Sequence, residues 1–273
     1  MIAPQRNQTA APVPPVPVPE IVGRTPRRMS CFGVLLALIG LLALLNLAVV
    51  GVKVLAKPGI SPSGQLLYAT QFTNSADPDW SQDGGALSYQ ITGGALLVTV
   101  DTPNNGPYSD LNYVFSDFDV RVVVTQTIGN DPASAYGILF RWQDPKNYYM
   151  FRIRGDGAYS VERVINGDTR QNFLSAPHQT PLLALGANHV NDLRVVGKGN
   201  QFQFYINGQL LTLCPKGNDR VSTWPGDQCV SNNHQTAQSI SDSTFATGAI
   251  GLGVYENNSK VQVAFTNVVI YSP

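Results

Sequence analysis

The feature that most constrains this chain is a long succession of short alternating runs that begins at Leu66. Apolar and polar side chains alternate within each run, and Gly, Asn, Asp or Pro separates one run from the next. This pattern is typical of half-buried β-strands joined by tight turns. It predicts the strands Leu66–Phe72, Ala95–Asp101, Phe118–Thr127, Tyr136–Trp142, Tyr148–Arg154, Tyr159–Ile165, Val190–Val196, Gln201–Ile206, Gln209–Leu213, Gly248–Tyr255 and Val261–Tyr271.

Two Asn-Gly pairs support this interpretation. Asn166-Gly167 and Asn207-Gly208 stand where a two-residue hairpin needs positive φ at both central positions. No helical pattern intervenes between the runs. The sequence therefore predicts an all-β domain, an antiparallel two-sheet sandwich or jelly roll.

An uncharged apolar run, Phe32–Val52, precedes the strands and predicts one transmembrane α-helix. At about 1.5 Å per residue, such a helix reaches roughly 30 Å, which is the thickness of the hydrocarbon layer. The flanking cations favour the N-terminal side, with Arg24, Arg27 and Arg28 before the run and Lys53 and Lys57 after it. This excess predicts a cytoplasmic N-terminus and an extracytoplasmic C-terminal domain.

A cleaved signal peptide is the alternative, because Val54-Leu55-Ala56 ends the run on a small residue. The run exceeds the usual signal-peptide length and a long segment precedes it, so we favour a retained span. The predicted organisation is a disordered Pro-rich cytoplasmic tail (1–31), the membrane helix (32–56), a linker (57–65) and the jelly-roll domain (66–273) with a disulfide-closed insertion (214–243).

Composition excludes some partners. Eighteen basic and eighteen acidic residues give a net charge of zero, so no electrostatic field attracts nucleic acid. Cys214 and Cys229 lie in a segment without strand rhythm, and as a disulfide they would contribute on the order of 3 kcal/mol. Such a bond fits an exported domain. Trp224 lies within that segment, and we expect it to pack rather than to form a platform for a sugar.

The stretch from Gly137 to Val164 predicts two hairpins. If Asp144-Pro145-Lys146-Asn147 forms the first turn, Arg141 faces Met150. A three-residue loop, Gly155-Asp156-Gly157, then pairs Phe151 with Val161 and keeps apolar partners together.

In this register one face is apolar and is assigned to the core; it includes Phe140, Trp142 and Tyr149. The opposite face carries four candidate ligand-binding residues: Arg141, Tyr148, Arg152 and Glu162. Arginine and glutamate would orient sugar hydroxyls and the tyrosine ring would stack against a sugar. The alternative is an ordinary solvated sheet face.

Several strings carry a family resemblance over about Leu66 to Tyr271. They are Gly137-Ile138-Leu139-Phe140-Arg141, Asp144 with Asn147-Tyr148-Tyr149, Ile206-Asn207-Gly208, and Thr247-Gly248-Ala249-Ile250-Gly251-Leu252. The domain resembles the concanavalin A-like lectin/glucanase superfamily, most of all laminin-G-like jelly rolls and the bacterial branch grouped with 3-keto-glycoside hydrolases. The resemblance implies a two-sheet jelly roll, often with a calcium site, and sugar binding or cleavage on the concave sheet.

Catalysis is the less favoured interpretation. The E-x-D-x-x-E pattern of the superfamily's retaining glucanases is missing, and the chain has only three glutamates, Glu20, Glu162 and Glu256. Asp117 and Asp119 could share a strand face as a carboxylate pair, although a solvated charge cluster is the preferred explanation. No cofactor is expected; the oxygen-rich loop from Asn104 to Asp110 could hold calcium, but a plain turn is favoured.

The sequence therefore favours a membrane-anchored, extracytoplasmic and non-catalytic module that binds carbohydrate or another cell-surface ligand. Two alternatives remain. One is an enzyme that resembles a glycoside hydrolase, and the other is a structural or adhesion domain without a small ligand.

Overall fold

The structure is a computed structural model that describes residues 64–75, 77–81, 87–101, 106, 108–129, 132–168, 173–216, 224–230, 235–255 and 259–273. The predicted cytoplasmic tail, membrane span and nearly all of the linker lie outside these residues. So do Asn104, Asn105 and Pro107 of the loop considered for calcium. In the described part of the chain, no helix has the length and apolar character needed to cross a bilayer.

The described residues form strands almost throughout, as the alternating pattern predicts. In chain order the strands are β1 (Leu66–Thr70), β2 (Leu87–Thr92), β3 (Ala95–Val100), β4 (Tyr108–Asp110), β5 (Phe118–Ile128), β6 (Ala135–Asp144), β7 (Asn147–Arg154), β8 (Ala158–Val164), β9 (Phe173–Gln179), β10 (Val190–Lys198), β11 (Gln201–Ile206), β12 (Gln209–Leu210), β13 (Ile240–Ser241), β14 (Ala249–Tyr255) and β15 (Val261–Tyr271). One short 3₁₀ turn, Pro225–Asp227, interrupts them.

Within the described ranges the strands form two antiparallel sheets. The larger runs in the order β12-β11-β10-β5-β15-β3-β2, with β1 also paired to β15 and β13 to β11. The smaller runs in the order β4-β14-β6-β7-β8-β9. Neighbours that are distant in sequence, such as β5 and β15, make this a jelly-roll sandwich rather than a simple meander. The all-β, two-sheet prediction is confirmed.

The core fills the space between the two sheets. In β11 and β15 of the larger sheet alternate side chains turn inward, so burial follows period two. In β6 and β14 of the smaller sheet most residues are buried. An aromatic cluster joins the layers at the centre: Phe140 stacks on Tyr149 with ring centroids 5.1 Å apart and also contacts Phe202 and Phe204. These buried rings anchor β6 and β7 to the core. Side chains on the opposite face of the two strands are therefore free of that packing and can form a site.

The two Asn-Gly pairs adopt the predicted backbone. Asn207 and Gly208 have φ of 50° and 82° between β11 and β12, and Asn166 and Gly167 have φ of 54° and 76° after β8. Left-handed conformations at both central residues let the turn match the twist of the strands. Strands β2, β4, β9 and β13 were not predicted.

The cysteines form the predicted bridge. Cys214 and Cys229 are disulfide-bonded across a sequence separation of 15. Nearby, Trp224 stacks on His178 of β9 with ring centroids 3.9 Å apart. The ring packs against the smaller sheet, which is the role expected for it.

Candidate ligand-binding site

The two hairpins around β7 place the candidate residues, and both predicted turns are present. Asp144 pairs with Asn147, and the Asp144 carboxylate accepts hydrogen bonds from the Lys146 amide at 2.7 Å and from Asn147 Nδ2. The Asn147 side chain is the main reason that the pKa of Asp144 is lowered. These local bonds close the first turn.

The second turn sets the register between β7 and β8. Phe151 pairs with Val161 and Met150 with Glu162, as predicted from the three-residue loop. Arg152 lies opposite Ser160, so Arg152 and Glu162 are diagonal neighbours. Diagonal side chains on one sheet face are within reach when they are long.

The predicted position of Arg141 is wrong. A bulge shifts the β6–β7 register between Phe140 and Asp144, so Leu139 rather than Arg141 lies opposite Met150. Arg141 takes a φ of 48° and points inward, where its residue surface is only 2% exposed. The same bulge takes Trp142 out of the predicted core, to a half-buried position.

Arg141 is held by backbone carbonyls rather than offered to a ligand. Its guanidinium donates to Phe245 O at 2.7 Å, to Ser116 O at 3.0 Å and to Gly199 O. The guanidinium also lies over the Phe202 ring, 4.8 Å from the centroid. Burial lowers the pKa of Arg141, although a guanidinium stays protonated in proteins. Arg141 therefore links three loops to β6 and lies apart from the other three candidates.

Those three candidates line one cleft on the outer face of the smaller sheet. The cleft has a volume of about 220 Å³ and crosses all six strands of that sheet. Its described lining consists of Gly106, Tyr108, Leu139, Tyr148, Met150, Arg152, Glu162, Phe173, Gly253, Val254 and Tyr255. Aromatic residues, three other apolar residues and one ion pair thus line a single surface.

The ion pair forms the polar centre of the cleft. Arg152 Nη2 contacts Glu162 Oε1, and Arg152 Nε donates to Ser160 Oγ at 3.2 Å. Ser160 Oγ in turn donates to Glu162 Oε1 at 3.3 Å. The Arg152 guanidinium lies 5.9 Å from the Phe173 ring centroid. Arg152 is therefore held from two sides before any ligand binds. Binding to it would cost little additional side-chain entropy.

Burial governs the electrostatics of this centre. It raises the pKa of Glu162 despite the opposing effects of Arg152 and Ser160. The Arg152 side chain is 18% exposed and that of Glu162 is 9% exposed, so the arginine is the more accessible partner. N–H groups of a partly exposed guanidinium can donate to hydroxyl oxygens while the carboxylate holds the fork in place.

Tyrosines flank the ion pair. Burial, and then the Glu162 charge, raise the pKa of Tyr148. Burial also raises the pKa of Tyr108. The Tyr108 ring packs on the Trp142 ring, with ring centroids 5.5 Å apart. Both phenols stay neutral near pH 7 and can donate or accept hydrogen bonds. Their rings offer flat apolar surface beside polar groups, an arrangement suited to a ligand with a ring and hydroxyls.

Tyr108 and Phe173 were missed by the sequence reasoning because their strands were missed. β4 has only three residues, which is too short for a period-two signal. β9 contains Pro177, and a proline argues against a strand unless that strand lies at an edge. β9 is the edge strand of its sheet. An aromatic residue followed by alternating apolar positions was the signal available for β9.

Of the aspartates considered for catalysis, Asp119 lies on β5 of the larger sheet and Asp117 immediately precedes that strand. Asp119 of β5 is fully buried and accepts from Arg194 Nε at 2.6 Å and Nη2 at 2.7 Å. Asp117 accepts from the Gly199 amide. The predicted solvated charge cluster is thus a buried ion pair. In the cleft, Glu162 is the one carboxylate among the described lining residues; Glu20 and Glu256 lie outside the described chain.

The site therefore defines a class: a jelly-roll sandwich with an aromatic and charged cleft on the outer face of one sheet. No protein-family model matches the sequence. No curated protein sequence matches it either.

Solved structures do share the fold. The chain is similar to a carbohydrate-binding module, CBM66, from Bacillus subtilis, at 20% identity and a TM-score of 0.50, over 71% of this chain and 96% of that one. It is also similar to a protein of unknown function with a galectin-like fold from Bacillus subtilis, at 12% identity and a TM-score of 0.54, over 78% and 98% of the two chains. This similarity supports the fold alone, a two-sheet jelly-roll sandwich.

Proposed function

We propose that this chain is a membrane-anchored, extracytoplasmic protein that binds carbohydrate without cleaving it, in the cleft between Tyr108 and Phe173. The observation that carries the proposal is the Arg152–Glu162 pair, in which a buried carboxylate holds a partly exposed guanidinium beside tyrosine rings in one cleft. Paired charges orient hydroxyls and aromatic rings supply apolar contact, which is the usual division of work in a small-ligand site.

Two further observations support the proposal. One of the solved structures with this fold is a carbohydrate-binding module. In addition, Glu162 is already engaged by Arg152 and Ser160, which suits a fixed hydrogen-bonding group. Hydrolysis of a glycosidic bond normally needs two carboxylates about 5–10 Å apart. We therefore favour binding over the glycosidase alternative and over an adhesion domain without a small ligand.

The membrane topology is part of the proposal. The uncharged run Phe32–Val52 and its preceding arginines favour a single span with the N-terminus in the cytoplasm. The disulfide Cys214–Cys229 suits a domain in an oxidising compartment. An impermeant maleimide applied to intact cells should leave Cys31 unlabelled, and permeabilisation should expose it to the reagent. Labelling of Cys31 in intact cells would contradict this orientation.

The binding test uses the full chain in detergent on a glycan array, with and without calcium. Wild type should bind a defined set of glycans. Tyr148→Ala should lose the stacking contact, and Arg152→Ala should weaken binding about tenfold or more, since a charge-assisted hydrogen bond contributes about 1.5–3 kcal/mol. Arg154→Ala is the matched control: Arg154 lies two residues further along β7 and forms its own pair with Asp156 outside the cleft.

Folding must be separated from binding, because Arg152→Ala leaves the buried Glu162 charge without its partner. The double variant Arg152→Gln/Glu162→Gln removes both charges and avoids that penalty. Loss of binding in this variant, at an unchanged melting temperature, would support the cleft as the site. Glycan binding equal to wild type in all the cleft variants, or no binding by wild type, would overturn the proposal. Release of reducing ends from a bound glycan would favour the glycosidase.

A further inference from the structure

A second cleft in the described part of the domain has no role in the proposed binding site. Its volume is about 460 Å³, and its lining is Leu67, Tyr68, Tyr113, Val114, Phe115, Ser116 and Asp117. None of these residues lines the first cleft. The surface is formed by β1 and by the segment that joins β4 to β5.

The rim of this cleft exposes large apolar side chains to solvent. Among the lining residues, Val114 is 73% exposed, Tyr113 49% and Leu67 44%; Leu66, which precedes Leu67 in β1, is 53% exposed. The rings of Tyr68 and Tyr113 lie 5.9 Å apart and join these side chains. Single exposed apolar residues are ordinary, but a contiguous group around a cleft marks an interaction surface. We call these residues the β1 patch: Leu66, Leu67, Tyr113 and Val114.

The β1 patch lies where the chain enters the domain from its N-terminal part. Gln65 is tied to Ser272 by two hydrogen bonds, and Leu66 pairs with Tyr271. Twelve peptide steps separate Val52, the end of the predicted span, from Gly64. At about 3.3–3.6 Å per residue, this segment reaches roughly 40 Å at most. An anchored domain would therefore keep the β1 patch within that distance of the bilayer surface.

We propose that the β1 patch is a membrane-contact surface that lies on the outer leaflet of the bilayer in which the chain is anchored. The inference rests on the membrane anchoring in the proposed function and is independent of the glycan cleft. Tyrosine is enriched at membrane interfaces because its ring is apolar and its hydroxyl is polar. Val114 and the two leucines supply side chains that enter the acyl boundary.

The surrounding charges indicate which lipid suits the surface. Asp79 accepts a hydrogen bond from the Tyr113 hydroxyl at 3.1 Å, and Asp117 lines the cleft. Carboxylates at the rim would be repelled by anionic headgroups. The contact should therefore be apolar, should favour zwitterionic lipid and should change little with salt.

The test places an environment-sensitive fluorophore on the full chain in phosphatidylcholine nanodiscs. Val114→Cys carries the label in a Cys31→Ser background, so the remaining native cysteines are those in the disulfide. Val190→Cys is the matched control, because Val190 is also an exposed valine, 57% exposed, in the larger sheet. Leu66 of the patch pairs with Tyr271, which pairs with Asp119 of β5, whereas Val190 pairs with Thr125 of β5. The two positions are therefore separated along the strand direction of the larger sheet by roughly 20 Å.

The expected result is a shift of the Val114 label to shorter emission wavelength and its quenching by spin-labelled lipid, with neither effect at Val190. A Val114 label that behaves like the Val190 label would overturn the inference. A label that is shielded but insensitive to spin-labelled lipid would also overturn it, since a second protein copy would then cover the patch. If the chain fails to incorporate into nanodiscs, the anchoring itself is wrong, and the inference falls with it while the glycan assay still stands.

Discussion

Replacing Arg141 should lower the free energy of unfolding of the domain without removing a ligand contact. The side chain is buried and donates to three backbone carbonyls, those of Phe245, Ser116 and Gly199. In Arg141→Ala these acceptors lose a charged donor in a site that is closed to water. Each such bond contributes about 1.5–3 kcal/mol, and bonds made by one side chain are not additive, so we expect a loss of about 4 kcal/mol.

The loss of stability can be measured as a fall in melting temperature. For a domain of this size, 1 kcal/mol corresponds to about 2–4 °C, so Arg141→Ala should melt about 8–16 °C below wild type. Thermal unfolding of the full chain, followed by near-UV circular dichroism, measures the difference. Arg141→Lys should fall between the two, because an ammonium keeps the charge and loses the planar fork.

Arg154→Ala is again the control, because Arg154 forms a pair with Asp156 at 2.7 Å in which both side chains are partly exposed, 29% and 25%. Ion pairs that solvent reaches contribute about 0–1 kcal/mol, so its melting temperature should change far less than that of Arg141→Ala. The reasoning would be refuted if Arg141→Ala melted with wild type and yet lost glycan binding. Arg141 would then belong to the ligand site, as its place in the sequence suggested.

Three further predictions concern the rest of the domain. Burial raises the pKa of Glu162 in the folded protein above its value in the unfolded chain. Relative to Glu162→Gln, the wild type should therefore lose stability as pH rises through the folded pKa. Equal profiles of stability against pH for the two proteins would contradict this. Cys214→Ser/Cys229→Ser should lower the melting temperature by about 6–12 °C, because the bond closes a loop and so contributes about 3 kcal/mol; an unchanged melting temperature would contradict this. Asp119→Asn should cost about 3–5 kcal/mol by breaking the buried pair with Arg194, while glycan affinity stays unchanged because that pair lies on the larger sheet.

Local sequence predicted the elements whose structure depends on neighbours in the chain. The pairing of Phe151 with Val161 follows from period two and from the Gly155-Asp156-Gly157 turn. The hairpin at Asn207-Gly208 follows from residues that tolerate positive φ. In these cases the deciding interactions span only a few residues, so a pattern along the chain is enough to identify them.

The diagonal contact of Arg152 with Glu162 was within reach of the same reasoning, because it needs only the β7–β8 register. That register also placed Tyr148 on the same face. Three of the four candidate residues therefore meet in one cleft, as the alternation predicted. Their role as ligand contacts remains a prediction.

The position of Arg141 was decided by tertiary structure alone. Its acceptor Phe245 is 104 residues away in the chain, and the register of β6 shifts against both β7 and β14 around it. A Cβ at Gly248 would lie only 2.3 Å from the Arg141 carbonyl carbon, so the bulge also needs a glycine just before β14, far away in the chain. Alternation continued through Arg141 could not reveal this, because a bulge adds residues to one strand and reverses the faces beyond it.

The sequence by itself determined the fold class, most strands, both turns around β7 and the cysteine pair. Tertiary structure decided which strands lie side by side, and so it brought Tyr108 and Phe173 to the cleft and took Arg141 away from it. The physical reason is range. Turn geometry and side-chain period act between neighbours in the chain, whereas strand order and bulges depend on backbone groups that meet only when the two sheets have packed.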